Sequence, residues 1–417
     1  MLRLLSSRRI SGLAGAGFLA EAGDWMLLIA LPLYVLELTG SPLVTATVFV
    51  LGLAPTIFAG PLAGVLVDRS EPWKLMAIVA GLQALFLAPL AAVNDASDLW
   101  ILYSVVIIES VLGTIIEPCR ATTAAGLVPA VQLAEINQLM GVLSSLSRLL
   151  GSPLGGLILA VGGFDAIIYA NAGTYLVAAI IFTIGARGQQ TDRKNQTHQD
   201  RPASPWADLV EGLQITASTP ALRQVMGVVS FIALAQGGFV LLFVLFVARE
   251  LQGNEADVGV LRGVQAIGAL IGGALLGLII NRITPRRLIS GSLLLFSALS
   301  LTIWNLPALT TSLSIYIGLF ILIGVPGVSL MTGLLTVLQS NCEPRARGRV
   351  LSTYFALFGA MQAIGTLLAG FLGTGTGLTV GLQVQGLLYL IAALMALRLT
   401  TPSSHLTHQP ANLDKHL

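Results

Sequence analysis

The sequence predicts an all-α membrane protein: twelve transmembrane helices arranged as two pseudo-symmetric six-helix bundles. Three observations predict it. The 417-residue chain is 55% hydrophobic and only 10% charged, with a mean hydropathy of +0.85, whereas a soluble domain carries about 25% charged residues. Apolar runs long enough to cross a bilayer as helices, about 20 residues each, recur twelve times. The second half of the chain also repeats the first at a nearly constant offset.

The stretch MLRLLSSRRI leads straight into the first run and reads as a cytoplasmic stub, since it lacks the short apolar region and small-residue cleavage site of a leader peptide. The twelve spans fall near 10–36, 43–67, 73–93, 99–121, 135–160 and 164–186, then 220–248, 256–281, 286–304, 312–338, 349–372 and 380–399. Hydrocarbon offers no partners to backbone N–H and C=O groups, so each span must be a helix. Lys and Arg residues set the orientation. Nineteen lie on one side, including Arg8, Arg9, Arg69, Lys74, Arg282 and Arg287; Arg249 alone lies on the other, and Arg148 and Arg262 fall inside spans. Both termini are therefore expected in the cytoplasm, as an even number of crossings requires. Expected boundaries are an N-terminal bundle at 1–186, a linker at 187–219, a C-terminal bundle at 220–400 and a cytoplasmic tail at 401–417. The linker begins RGQQTDRKNQTHQDRP, a polar run, and continues SPWADLVEGLQITAS. Ser204 and Pro205 suit a helix start, and Trp206, Leu209, Val210 and Leu213 share one face, so a short helix on the inner leaflet is expected. A plain linker is the alternative.

The repeat is seen in several elements at once. Glu37-Leu38-x-Gly40 returns as Glu250-Leu251-x-Gly253. Gly60 and Gly64 return as Gly273 and Gly277, Asp68-Arg69 as Asn281-Arg282, Pro72 as Pro285 and Lys74-Leu75 as Arg287-Leu288, all 213 residues on. Gly151 and Gly156 return as Gly365 and Gly370 at an offset of 214. Two parallel six-helix repeats are a known transporter layout. The small-xxx-small spacing of Gly60, Gly64, Gly273 and Gly277 is expected to let helices approach closely.

The stretch GPLAGVLVDRSEPWKLM (60–76) resembles the signature between helices 2 and 3 of the major facilitator superfamily, through Gly64, Leu66, Asp68 and Arg69. It departs from that signature at Glu71, Pro72 and Trp73, leaving Lys74 as the following cation. AGDW (22–25), LPLYVLELTGSP (31–42), EPCRATTAAGLVP (117–129) and GSPLGG (151–156) resemble the bacterial exporter branch that includes macrolide and enterobactin efflux proteins. GSPLGG, with Gly151, Pro153, Gly155 and Gly156, is similar to the antiporter signature of helix 5, but its proline sits one place late. The superfamily's mid-helix-4 arginine is missing, and Arg120 lies at the inner end of that span. The resemblance implies a cavity lined by spans 1, 4, 7 and 10 and flanked by 2, 5, 8 and 11. It also implies that Asp68 faces the start of span 11, around Arg347-Gly348-Arg349, as a cytoplasmic latch. A carboxylate at a helix N-terminus gains about 0.3–1 kcal/mol. Arg69 and Lys74 would pair with acids such as Glu117, and Asn281 would make the second copy's latch weaker. The alternative is that these charges only fix topology.

Ionisable groups at membrane depth are costly and mark pathways. Glu21 and Asp24, three residues apart, sit on neighbouring positions of span 1, and Glu109 lies at similar depth in span 4. A cleft shared by all three would crowd carboxylates where burial disfavours charge, as a proton-exchange site requires. Asp24 leads the candidates, because Gly23-Asp24 matches the superfamily's Gly-Asp pair; Glu109 is second. Competing readings are a static Glu109–Arg148 ion pair, a spectator Glu21, and an Arg262, one turn from Gln265, that pairs with Asp257 or Glu255 at the outer rim in preference to binding an anion. Trp25, Phe58, Tyr103, Phe231 and Phe355 are candidates for an apolar lining, and Pro326-Gly327 for a bend in span 10.

No G-x-x-x-x-G-K-S/T or H-E-x-x-H occurs, the four histidines lie in loops or the tail, and Cys119 and Cys342 suggest no disulfide framework. No cofactor, metal or enzymatic activity is expected, and without a basic tract no nucleic acid partner. The expected partners are a small-molecule substrate, protons and membrane lipid. The expected protein is a monomeric exporter of amphipathic compounds in a bacterial inner membrane, working by proton antiport. An importer, uniporter or lysolipid carrier is the second reading, and a non-transporting scaffold or sensor the third.

Overall fold

The computed structural model describes residues 4–187, 205–279, 282–343, 346–373 and 377–399; the side chains at 56–65, 68, 69, 130, 134 and 205–210 are outside the described set. Helices follow one another as α1 (Arg8–Thr39), α2 (Pro42–Arg69), α3 (Pro72–Leu87), α4 (Leu99–Gly126), α5 (Leu133–Ala186), α6 (Pro205–Ser218), α7 (Pro220–Arg249), α8 (Glu255–Ile279), α9 (Pro285–Asn305), α10 (Leu313–Ser340), α11 (Arg347–Leu372) and α12 (Gly377–Ala396). Proline opens α2, α3, α7 and α9, where its missing N–H costs nothing. Ser41 and Thr284 cap α2 and α9 by accepting the N–H groups of Val44 and Arg287. Gly40, at φ 62°, ends α1 in the left-handed conformation that glycine tolerates.

α5 contains 54 residues, about 81 Å of helix at 1.5 Å per residue and more than twice the hydrocarbon thickness. Gly163 breaks it at φ 70° and ψ −174°, a conformation that a Cβ resists. Its two segments are the fifth and sixth crossings. Among the described residues ten helices are long and apolar enough to cross a bilayer, α5 counted once; dividing α5 at Gly163 and adding α2, whose apolar part runs Pro42–Pro55, gives twelve, and α6 is the linker helix.

The repeat is written into the helix starts. Pro42 and Glu255 differ by 213 positions, as do Pro72 and Pro285; Leu99 and Leu313 differ by 214, as do Leu133 and Arg347. Equivalent contacts recur as well. Gly151 lies against the Ala22 carbonyl of α1, and Gly365 against the Leu234 carbonyl of α7. Gly156 meets the start of α8 at Glu255 and Ala256, and Gly370 meets the start of α2 at Leu43 and Ala46. The halves therefore join through α5 with α8 and α2 with α11. The Gly156 and Gly370 contacts lie at the end of the bundle where α1 finishes and α2 begins, and Arg249 Nη1 donates to the Gly373 carbonyl there at 2.8 Å.

Each half has its own apolar core. In the second half, Leu245, Phe246 and Val247 of α7 are fully buried, with Phe246 edge-on to Trp304. Leu176, Ile180 and Ile184 of α5 are exposed, as a lipid-facing stripe requires. The described part of α6 docks on α11: Gly212 faces the Arg349 carbonyl and Thr353, and Arg349 Nη1 donates to Glu211 Oε1 at 2.6 Å. Leu213 points away and is exposed; Trp206, Leu209 and Val210 are outside the described side chains.

Candidate functional site

Four consecutive residues of α1, Ala22 to Trp25, organise the centre of the molecule. Gly23 has no side chain, so α1 presses against Asn171 and Thr174 in the second segment of α5. That approach brings Tyr175 alongside, and its hydroxyl donates to Asp24 Oδ1. Gln83 Nε2 of α3 in turn donates to the Tyr175 hydroxyl at 3.2 Å. Asp24 is open to a cavity of about 420 Å³ that Gln83, Glu109 and Tyr175 also line. Both Glu109 carboxylate oxygens are buried without a hydrogen-bond partner among the described residues, with Asp24 and Gln83 on the same cavity wall. Two acids, a phenol and an amide, all from the first half, thus share one recess that Phe243, Val244 and Arg262 of the second half also line. Gln83 was missed in the sequence because it is a lone uncharged polar residue in an apolar run, and Tyr175 because an uncharged tyrosine among Asn171 and Thr174 carries no mark of its own.

Glu21 lies apart from this recess. Residues three apart differ by about 60° around a helix, enough to aim the two acids at different neighbours. Glu21 accepts from Ser144 Oγ and pairs with Arg120 Nη1 at 3.4 Å. Arg120 also reaches Glu117 at 3.6 Å and lies beside Gly17 of α1. The expected three-acid cleft is therefore a two-acid cleft, and Arg120 is the counter-charge that removes Glu21 from it. Lys74 pairs with Glu71 at 2.6 Å on its own helix and not with Glu117, because i,i+3 neighbours are within reach without crossing a loop.

The arginines occupy a second cavity of about 450 Å³ between the halves. Gly259 and Gly263 of α8 pack on α5: a Cβ at Gly263 would stand 2.7 Å from Pro153 Cδ and 3.1 Å from the Leu149 carbonyl. Arg148 and Arg262 are chain neighbours of that contact, and both line the cavity in the seam. Trp25 lies within cation–π range of both, at 5.7 Å from the Arg148 guanidinium carbon and 5.8 Å from that of Arg262, and Phe239 is 5.0 Å from Arg262. Among the described residues no carboxylate lies within ion-pair distance of either arginine. The expected Glu109–Arg148 pair is absent because the two face different cavities. The expected rim pairing of Arg262 is absent as well: Asp257 caps its own helix by accepting the Asn254 N–H at 2.9 Å. Gln265 lines this cavity with Arg262, and so does Gly327, beside Pro326 in a continuous α10. Trp25 alone of the five candidate aromatics lines either cavity among the described side chains, and Phe355 is exposed; Phe58 is outside them.

A family model for transmembrane secretion effectors matches residues 9–415. The chain belongs to that family, within the major facilitator superfamily. It is 26% identical to the MFS-type transporter YfiS of Bacillus subtilis over 95% of this chain and 92% of that protein. It is 25% identical to macrolide efflux protein A of Streptococcus pyogenes, over 89% and 90%, and 26% identical to the multidrug efflux pump Tap of Mycolicibacterium fortuitum, over 87% and 88%. The fold is similar to that of a bacterial homologue of the human lysosomal transporter spinster in an inward-facing conformation, with a TM-score of 0.71 at 12% identity, covering 93% of this chain and 95% of that one. The protein is a multi-pass membrane transporter and not an enzyme.

In this secretion effector the helix 5 motif is a packing device. Gly151 and Gly155 face α1 at Ala22 and Met26, while Pro153 and Gly156 face α8. The gate motif is different. The side chains of Asp68 and Arg69, the surroundings of Gly60 and Gly64, and Asn281 altogether lie outside the described residues, and Arg282 and Arg287 are exposed. Gly273 meets only Val328 at 3.9 Å, and a Cβ on Gly277 would meet nothing within 4 Å. The close approaches of α8 fall instead at Gly259 and Gly263 against α5, and at Gly268 and Gly272 against the Ile321 and Val325 carbonyls of α10. Helix crossings fix which glycines touch, and the C-terminal end of α8 is beyond its crossing with α10.

Proposed function

We propose that this transporter exports amphipathic small molecules by alternating access, exchanging each for inward-moving protons at Asp24. One observation carries the reading: Asp24 is open to a central cavity while held by the Tyr175–Gln83 relay, with Glu109 as a second acid in the same recess. An acid that must gain and lose a proton needs access to water and a neighbour that makes its charge conditional. Efflux is the printed activity of macrolide efflux protein A and of Tap, which favours export. The 19-to-1 split of loop cations supports cytoplasmic termini in a bacterial inner membrane. In that orientation the glycine contacts between the halves are at the outer end, so this conformation is closed to the outside. Asp68 as the inner latch and a monomeric working unit complete the proposal. Two acids facing one cavity serve no purpose in a passive scaffold.

The test is flux through proteoliposomes with an imposed pH gradient, using anionic, neutral and cationic fluorescent amphiphiles. The wild type should move at least one of them faster with the gradient than without it, and Asp24→Asn should lose that response. Flux equal in both proteins and indifferent to the gradient would overturn proton exchange at Asp24.

A further inference from the structure

The paired arginines have no task in proton exchange, and their arrangement is costly. The Gly259 and Gly263 contacts force two guanidiniums to the same seam at membrane depth. Like charges in a poorly solvated space repel, and an unpaired cation there is expensive. Trp25 and Phe239 return only part of that cost. Glu21, an acid that acts electrostatically on Arg148, is already held by Arg120 and Ser144. Two donors nearby are also idle: Arg148 Nε and Gln265 Nε2 are buried without a hydrogen-bond partner, and Gln265 is 9% exposed. The same cavity is aromatic elsewhere, at Phe296 and Tyr389.

We propose that this cavity binds the anionic group of the transported molecule, a carboxylate or a group of like charge, between Arg148 and Arg262, with Gln265 as an additional donor and Trp25 and Phe239 against its apolar body. The proposal rests on the transport reading and narrows it to organic anions. Guanidinium groups suit carboxylates because their planar fork donates two parallel hydrogen bonds. An anion here cancels the repulsion that the glycine contact creates. Because Arg262 also lines the acid recess, the bound anion and the proton site share one boundary.

Two matched probes test this: 1-pyrenebutyrate and the cation (1-pyrenylmethyl)trimethylammonium. Their saturable binding to the full-length protein is read by energy transfer from tryptophan in nanodiscs of zwitterionic phosphatidylcholine, so that no anionic headgroup competes. The wild type should bind pyrenebutyrate at least about tenfold more tightly than the cation. Arg148→Gln and Arg262→Gln should each weaken it at least about tenfold, and Arg262→Lys should restore part of the loss. Unchanged thermal melting separates lost binding from lost folding; should a glutamine variant fail to fold, Gln265→Leu serves instead, with a loss of at least about threefold expected. Equal binding of both probes, or wild-type binding of pyrenebutyrate by both arginine variants, overturns the proposal. Asp24→Asn separates the two readings: retained pyrenebutyrate binding without gradient-driven flux leaves the anion site standing whatever becomes of proton exchange.

Discussion

The acid recess and the arginine seam adjoin at Asp24-Trp25 and are built by opposite means. The acids of the recess and their polar neighbours Gln83 and Tyr175 come from one half, although second-half residues such as Arg262 also line it. Asp24, Gln83, Glu109 and Tyr175 come from α1, α3, α4 and α5, and hydrogen bonds join three of the four. The seam belongs to neither half: Arg148 and Arg262 meet only because α5 and α8 cross at Gly259 and Gly263. A group satisfied inside one bundle keeps its partners when the bundles move. A group placed between bundles changes its surroundings with every such movement. The comparison therefore separates a recess suited to holding a proton through the cycle from a seam suited to gripping and releasing cargo.

The largest expected effect comes from removing the acid on the recess side. A proton falling through 100 mV carries about 2.3 kcal/mol, close to a 50-fold concentrating power. Asp24→Asn should lose that power in proteoliposomes while passive exchange of the same amphiphile continues; retention of gradient-driven accumulation would erase the distinction. The seam should break next. Gly263→Leu forces a side chain into Pro153 and the Leu149 carbonyl, at about 1–3 kcal/mol, and should both lower the melting temperature and stop flux. Gly277→Ala, which faces open space, should change neither by more than about 0.5 kcal/mol equivalent. A third change tests the counter-charge that keeps Glu21 out of the recess. Arg120→Gln leaves a partly buried carboxylate with Ser144 alone and should cost about 1–3 kcal/mol in thermal unfolding. A small effect is expected away from both sites, where Glu211→Ala removes a partly exposed pair with Arg349 and should cost about 0–1 kcal/mol.

Some of this was legible in residues alone. The helix starts at Pro72 and, 213 residues on, at Pro285 were marked by proline and by the repeat, because chain-local chemistry decides where a helix begins. Asp24 stood out because a carboxylate in an apolar run has no local explanation. The seam was misread. Asp257 and Glu255 are close to Arg262 along the chain, and that nearness suggested a pair. Gly60, Gly64, Gly273 and Gly277 matched in register, yet Gly273 and Gly277 make no close contact.

The sequence by itself determined that the chain must live in lipid, how many times it crosses, and that its halves are copies, because hydropathy and period act through neighbours along the chain. Only the tertiary structure decided which charges share a cavity. Asp24 and Trp25 are consecutive, but one joins Tyr175 from a segment about 150 positions away and the other joins two arginines from different halves. Those meetings depend on where helices cross, and a crossing is set by the packing of both partners together.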